Sequence, residues 1–277
     1  MSRTMIQAAV TMNQLQNKLD LIGNNMANSQ TTGYKTRGAE FSSLLFQQMD
    51  NLDRPGNNEN RVTPDGIRIG SGARLGTTTV NLEQGPIVST GRALDTALLD
   101  KNYLFQVQVT ENGVAETRYT RDGAFYLNTS NDDGSVMLTT SDGNPVLGDN
   151  GPIVFADGFD SVNILDNGQI VVERAGQTEV VGTIDVVEAI RPNVLEAVGE
   201  NMFRLPDLAA LGYDFDEIIQ NPAPNDQLLQ SNALEQSNVN LSEQMSDLIL
   251  AQRSYQFNSR TISMTDQMMG LVNGLRS

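Results

Sequence analysis

The chain has 277 residues, a net charge of −16, and no Cys, His or Trp. Without Cys there is neither a disulfide framework nor a thiolate metal site, and without His the common zinc and nucleophile–base constellations drop out together. The acidic excess leaves no basic stripe to neutralise phosphates, which argues against nucleic acid as a partner, and no apolar run reaches the ~18 residues of a membrane span.

The first element is a helix predicted within residues 1–28. Met5, Ala8, Met12, Leu15, Leu19, Ile22 and Met26 alternate at three- and four-residue steps, the a/d rhythm that keeps one seam facing another helix. A lone helix of this length is marginal in water, so the seam needs something to pack against. The amino terminus also lacks the short apolar core of a secretory signal, so export, if it occurs, is expected without a cleaved signal peptide.

Directly after the seam come Asn24, Asn25, Ala27 and Asn28, then Gly33, Tyr34 and Lys35. Short amides here suit capping or bridging at a helix end, and Gly33 suits a turn that a Cβ resists. Residues 29–78, rich in Gly, Asn, Thr and Arg, read as an extended connector. The glycines Gly66, Gly70 and Gly72 are not followed by Gly-Lys-Ser/Thr, so they do not make a phosphate loop.

Residues 79–225 hold 7 basic residues against 23 acidic ones, which is where the net charge resides. Nearly neutral, apolar-striped ends can associate, while an acidic middle repels its copies and stays solvated. Asp122-Gly123, Asp142-Gly143, Asn150-Gly151, Asp157-Gly158 and Asn167-Gly168 mark turns at the spacing of short strands. Tyr103, Phe105, Val107 and Val109 alternate onto one face, as do Ile170 with Val172 and Ile184 with Val186. The prediction is a mostly antiparallel β domain. Asn131-Asp132-Asp133-Gly134 has the look of a calcium loop, but Thr140 stands where the bidentate Glu belongs, so it reads as an acidic turn. No cofactor or metal is expected.

The last segment, residues 226–277, carries a second long helix starting after Asn240, with Glu243 placed for a capping box. One stripe runs through Leu241, Met245, Leu248, Tyr255, Ile262 and Met269, and another through Met264, Met268, Leu271 and Leu275. Two stripes imply two neighbours. The expected fold class is therefore α+β: long amino- and carboxy-terminal helices pairing as a coiled coil, with a central, mostly antiparallel β domain.

Asn24-Asn25-Met26-Ala27-Asn28 with Thr32-Gly33-Tyr34-Lys35 closely resembles the amino-terminal signature of bacterial flagellar rod and hook proteins. The resemblance continues in order through Gly91-Arg92-Ala93-Leu94-Asp95, Tyr119-Thr120-Arg121-Asp122-Gly123-Ala124-Phe125, Gly199-Glu200-Asn201-Met202-Phe203, Leu234-Glu235-Gln236-Ser237-Asn238-Val239 and Ala251-Gln252-Arg253-Ser254-Tyr255. Within the family the length and Gly66-Ile67-Arg68-Ile69-Gly70-Ser71-Gly72-Ala73 look most like the distal rod. Lys101-Asn102-Tyr103-Leu104-Phe105 departs from the family's usual Gly-Phe-Phe element.

The resemblance implies a non-enzymatic subunit of the flagellar axial structure, located in the basal body outside the cytoplasm. Its terminal helices would form the inner coiled-coil layer of a tube that transmits torque and leaves an export channel. The implied partners are copies of itself, other rod and hook proteins and the flagellar export apparatus, with Phe41 and Leu45 matching the family's export-gate pattern. The alternatives are a short hook or hook-junction protein, or a cell-wall-acting enzyme or carbohydrate-binding module sharing the turn-rich β domain.

Overall fold

Helix formation at both ends follows from the pattern of apolar residues. A computed structural model describes residues 3–43, 46–49, 67–70, 73–111, 113–129, 134–199, 201–208, 212–222 and 227–275. The amino-terminal helix spans Arg3–Ala27 and the carboxy-terminal helix Leu241–Gly274, the latter beginning immediately after Asn240. Between them the described elements are strands and two short 3-10 turns, so the chain is α+β with a mostly antiparallel β body.

Contacts divide the chain into two units. One comprises residues 1–26, 37–79 and 241–277, and so contains both helices. Within the segment expected to be an extended connector, this unit carries paired strands. Arg37–Ser43 lies beside Ala73–Val80, and Phe46–Met49 pairs antiparallel with Ile67–Gly70.

The other unit comprises residues 27–36 and 80–240. Its main sheet has six strands, in the order Glu196–Ala197, Met202–Arg204, Val114–Thr120, Tyr103–Glu111, Val186–Ala189 and Ile219–Gln220. Two three-stranded sheets, one centred on Ser135–Thr139 and one on Gln169–Arg174, adjoin it in sequence. Short pairs, Thr96–Leu98 with Leu229–Ser231 and Ile87–Ser89 with Ala233–Glu235, fasten the two ends of this unit's chain to each other.

Alternation along Tyr103–Glu111 places Tyr103, Phe105, Val107 and Val109 in a core shared with Ile170, Val172, Ile184 and Val186. Phe105 meets Phe125 edge-to-face with ring centroids 5.1 Å apart. The opposite face of the six-stranded sheet is buried as well. Leu104 and Val187 sit directly across from each other and join Tyr119, Ala189, Phe203 and Ile219 in a second core. This second cover reaches only the start of Tyr103–Glu111: Leu104 is buried, whereas Gln106 and Gln108 on the same face are only partly buried and Thr110 is exposed, so the alternation persists.

The turn glycines divide by mechanism. Gly143, Gly151, Gly158 and Gly168 adopt positive φ, as Asn-Gly and Asp-Gly turns require. Gly123 does not; a Cβ there would meet the Thr96 carbonyl oxygen at 1.8 Å, so this glycine permits a close approach between chain segments. Residues 131–133 of the acidic turn lie outside the described residues.

Candidate assembly surface and signature cluster

In the helical unit, Ala8, Leu15 and Ile22 are buried, while Met5, Met12, Leu19 and Met26 are partly buried. All seven seam positions of the amino-terminal helix thus avoid full exposure. On the carboxy-terminal helix the sheltered line runs through Gln244, Leu248, Ala251, Tyr255, Asn258, Ile262, Thr265 and Met269, again in alternating four- and three-residue steps. Leu241 and Met245 fall outside that line and are about half exposed. A strict heptad read through the large apolar residues alone misses Ala251 and Thr265, whose small side chains fill the seam without raising hydropathy.

A different face of the same helix is left bare. Leu250, Phe257, Met264, Met268, Leu271 and Leu275 are 62, 66, 57, 60, 70 and 89 % exposed. Met264, Met268, Leu271 and Leu275 are the second stripe expected from sequence; Leu250 and Phe257 extend it toward the amino end by successive heptads. Arg253, Gln256 and Arg260 flank Phe257 in a shallow depression.

Asn25, in the signature, is buried where the amino-terminal helix ends. Its Oδ1 accepts from the Arg37 amide at 3.1 Å, and its Nδ2 donates to the Arg37 carbonyl at 2.8 Å and to Gln244 Oε1 at 3.2 Å. One amide therefore ties that helix end to strand Arg37–Ser43 and to the first turn of the other helix. Such satisfaction of a buried amide is the condition for its being tolerated there. Asn24 and Ala27 are exposed, and Asn28 Oδ1 accepts from Thr31 Oγ1 at 3.2 Å. Phe41 lies in strand Arg37–Ser43, and Leu45 lies outside the described residues.

The rest of the signature belongs to the β unit. Gly33 has φ +65°, and a Cβ on it would stand 2.6 Å from the Asp122 amide nitrogen. This packing brings Thr32 Oγ1 to Asp122 Oδ1 at 3.0 Å and the Asn201 amide to the Thr32 carbonyl at 3.2 Å. Tyr34 and Lys35 are both buried. Lys35 Nζ donates to Glu235 Oε1 at 2.6 Å and to the Glu83 carbonyl at 2.7 Å. Glu235 Oε2 receives Arg121 Nε at 2.9 Å and Nη2 at 2.5 Å, while Arg121 Nη1 donates to the carbonyls of Asp100 and Tyr103.

Thr36 then donates its amide and hydroxyl to Asn238 Oδ1, whose amide nitrogen donates to the Asn81 and Glu83 carbonyls. Burial, reinforced by the Arg121 charge, lowers the Lys35 pKa to about 8 against the pull of Glu235. Burial raises the Asp122 carboxyl above its ordinary value, opposed by bonds from the Ala124 amide and Thr32.

Arg121, Glu235 and Asn238 are central to this cluster, yet residue type alone does not single them out. The available signal is that each lies within one of the blocks through which the chain resembles the rod and hook proteins. Among the described residues, no group of three or more Asp or Glu is arranged to hold a metal ion.

Three family descriptions match: "Flagella basal body rod protein" over residues 7–35, "Flagellar hook protein FlgE/F/G D1 domain" over residues 102–172, and "Flagellar basal body rod FlgEFG protein C-terminal" over residues 230–275. A flagellar hook-basal body complex protein, FlhP, of Bacillus subtilis is 40% identical over 100% of both chains. The basal-body rod protein FlgG of Borreliella burgdorferi is 31% identical over 100% of this chain and 99% of its own, and that of Bacillus subtilis is 31% identical over 99% of each. The chain belongs to the flagellar basal-body rod family: it is a structural subunit of the flagellar axial structure, not an enzyme.

Proposed function

We propose that this chain is a distal-rod-type subunit that builds a helical tube by head-to-tail repetition. The observation carrying the proposal is the bare apolar stripe from Leu250 to Leu275, on a helix whose other apolar line is already sheltered within one chain. Burying such side chains contributes about 1.5–3 kcal/mol each, which only a further partner can supply. A heterologous contact that does not close generates a helical assembly. In this reading the helices Arg3–Ala27 and Leu241–Gly274 pair as a coiled coil through the seam that ends at the Asn25–Gln244 bond and line the tube. The tube transmits torque and leaves a channel. In this reading Phe41 and Leu45 are the export-gate contact.

The test is incorporation. Phe257→Asp combined with Met264→Asp places two charges on the bare stripe without touching the sheltered one, so the chain is expected to be exported and folded but absent from purified hook–basal bodies. Normal incorporation of that double variant would rule out the stripe as the assembly surface. A second reading, a rod or hook–rod component distinct from FlgG, is favoured by one observation: identity is 40% to FlhP and 31% to FlgG of the same bacterium. Imaging a tagged copy along the isolated structure separates the two.

A further inference from the structure

Among the described residues of the β unit, one buried cluster has unbalanced charge. The Glu235 carboxylate faces both Lys35 and Arg121, and the three side chains are at most 1% exposed. No second carboxylate touches the cluster directly: Glu83, Asp100 and Tyr103 present carbonyl oxygens to it and Asp122 turns its carboxylate to Thr32, while the exposed Asp100 carboxylate acts on Arg121 only as a further, weaker negative charge. Glu235 Oε1 also accepts from the Gly85 amide at 2.8 Å, and the Glu235 carbonyl accepts from the Gly33 amide at 2.9 Å. One residue thus fastens the segment following the amino-terminal helix, the segment preceding the carboxy-terminal helix and the Arg121 corner to each other.

We propose that Lys35, Arg121 and Glu235 form a latch on these two chain segments, charge-unbalanced by design of two cations on one carboxylate, and that the protonation of the Lys35 amine sets its strength. A buried ion pair gains only when desolvation is offset by geometry and hydrogen bonds, and a surplus charge makes that balance worse. Loss of the Lys35 proton leaves the Arg121–Glu235 pair balanced. The neutral amine keeps two N–H groups, enough for the two short bonds to the Glu83 carbonyl and Glu235, and gives up the longer one to the Leu82 carbonyl at 3.4 Å.

The direction of the effect follows from proton linkage. The folded Lys35 gives up its proton near pH 8, below its ordinary value of 10.5, so between these values the unfolded chain binds more protons. Stability therefore rises with pH across that window and is flat below it. Tyr119, raised to about 12, works in the opposite sense, because the unfolded Tyr ionises first; its contribution begins near pH 10.

The experiment is equilibrium unfolding of the full chain, followed by circular dichroism from about pH 7 to about pH 10, for the natural sequence and for Lys35→Met. The folding constant of the natural chain is expected to gain roughly tenfold or more on that of the variant between about pH 8 and about pH 10. Parallel pH profiles would overturn the proposal. Should Lys35→Met not fold, the unaltered chain still decides by NMR titration of the Lys35 Cε together with the Gly33 and Thr36 amides. A shared midpoint near 8 supports the latch; a Lys35 midpoint at the ordinary value, or one that leaves both amides unmoved, overturns it.

Discussion

Gly33 shows how a single residue fixes the geometry of the signature. Its φ of +65° and the 2.6 Å approach of a Cβ to the Asp122 amide penalise any side chain twice, by backbone strain and by collision. Gly33→Ala is expected to destabilise the β unit by about 1–3 kcal/mol in chemical unfolding; an unchanged midpoint would contradict the packing described. Asp122, on the other side of that contact, predicts a pH effect of the opposite kind from Lys35. Its raised pKa means that the folded chain binds more protons above pH 3.8, so stability falls as pH climbs through the raised value. Asp122→Asn, which keeps an oxygen for the Ala124 amide and Thr32, should flatten the acidic limb of the stability profile. An acidic limb identical to that of the natural chain would show that the carboxylate is not buried as described.

At the scale of elements, the amino-terminal helix was legible because apolar residues at three- and four-residue steps mark one helical face, whether that face serves a coiled coil or an ordinary core. Ala8, Leu15 and Ile22 are its most buried members. The carboxy-terminal seam was only half legible, since Ala251 and Thr265 carry burial with little hydrophobic signal. The burial of Leu104 on the second face of Tyr103–Glu111 was hidden for another reason: alternation reports one face, and the cover over Leu104 comes from residues far away in sequence, such as Ile219. The Lys35–Arg121–Glu235 cluster was illegible as a cluster, because three charges from three distant segments carry no periodicity, although each lay within a recognisable family block. Within the helical unit, Leu15→Asp puts an unpaired charge where a buried Leu packs, at a cost of several kcal/mol. Limited proteolysis should then cut faster within Arg3–Ala27 than in the natural chain, whereas Gln16→Glu on the exposed side should leave the cleavage rate unchanged. Equal rates for both variants would place the seam elsewhere.

For the whole molecule, charge and apolar surface are separated along the chain. The acidic middle repels its copies, while the carboxy-terminal helix presents the bare stripe, so the proposed assembly directs association to that helix rather than to the β body. The absence of Cys makes this directly measurable, because an introduced thiol is the only one in the chain. The decisive measurement compares maleimide labelling of Met264→Cys, on the bare stripe, with that of Val114→Cys, 69% exposed on the β unit. Each is labelled in the free chain and again in purified rods. The account predicts that both thiols react in the free chain and that only Val114→Cys still reacts in rods. If Met264→Cys labels equally well in rods, the stripe is not the surface through which the subunit assembles.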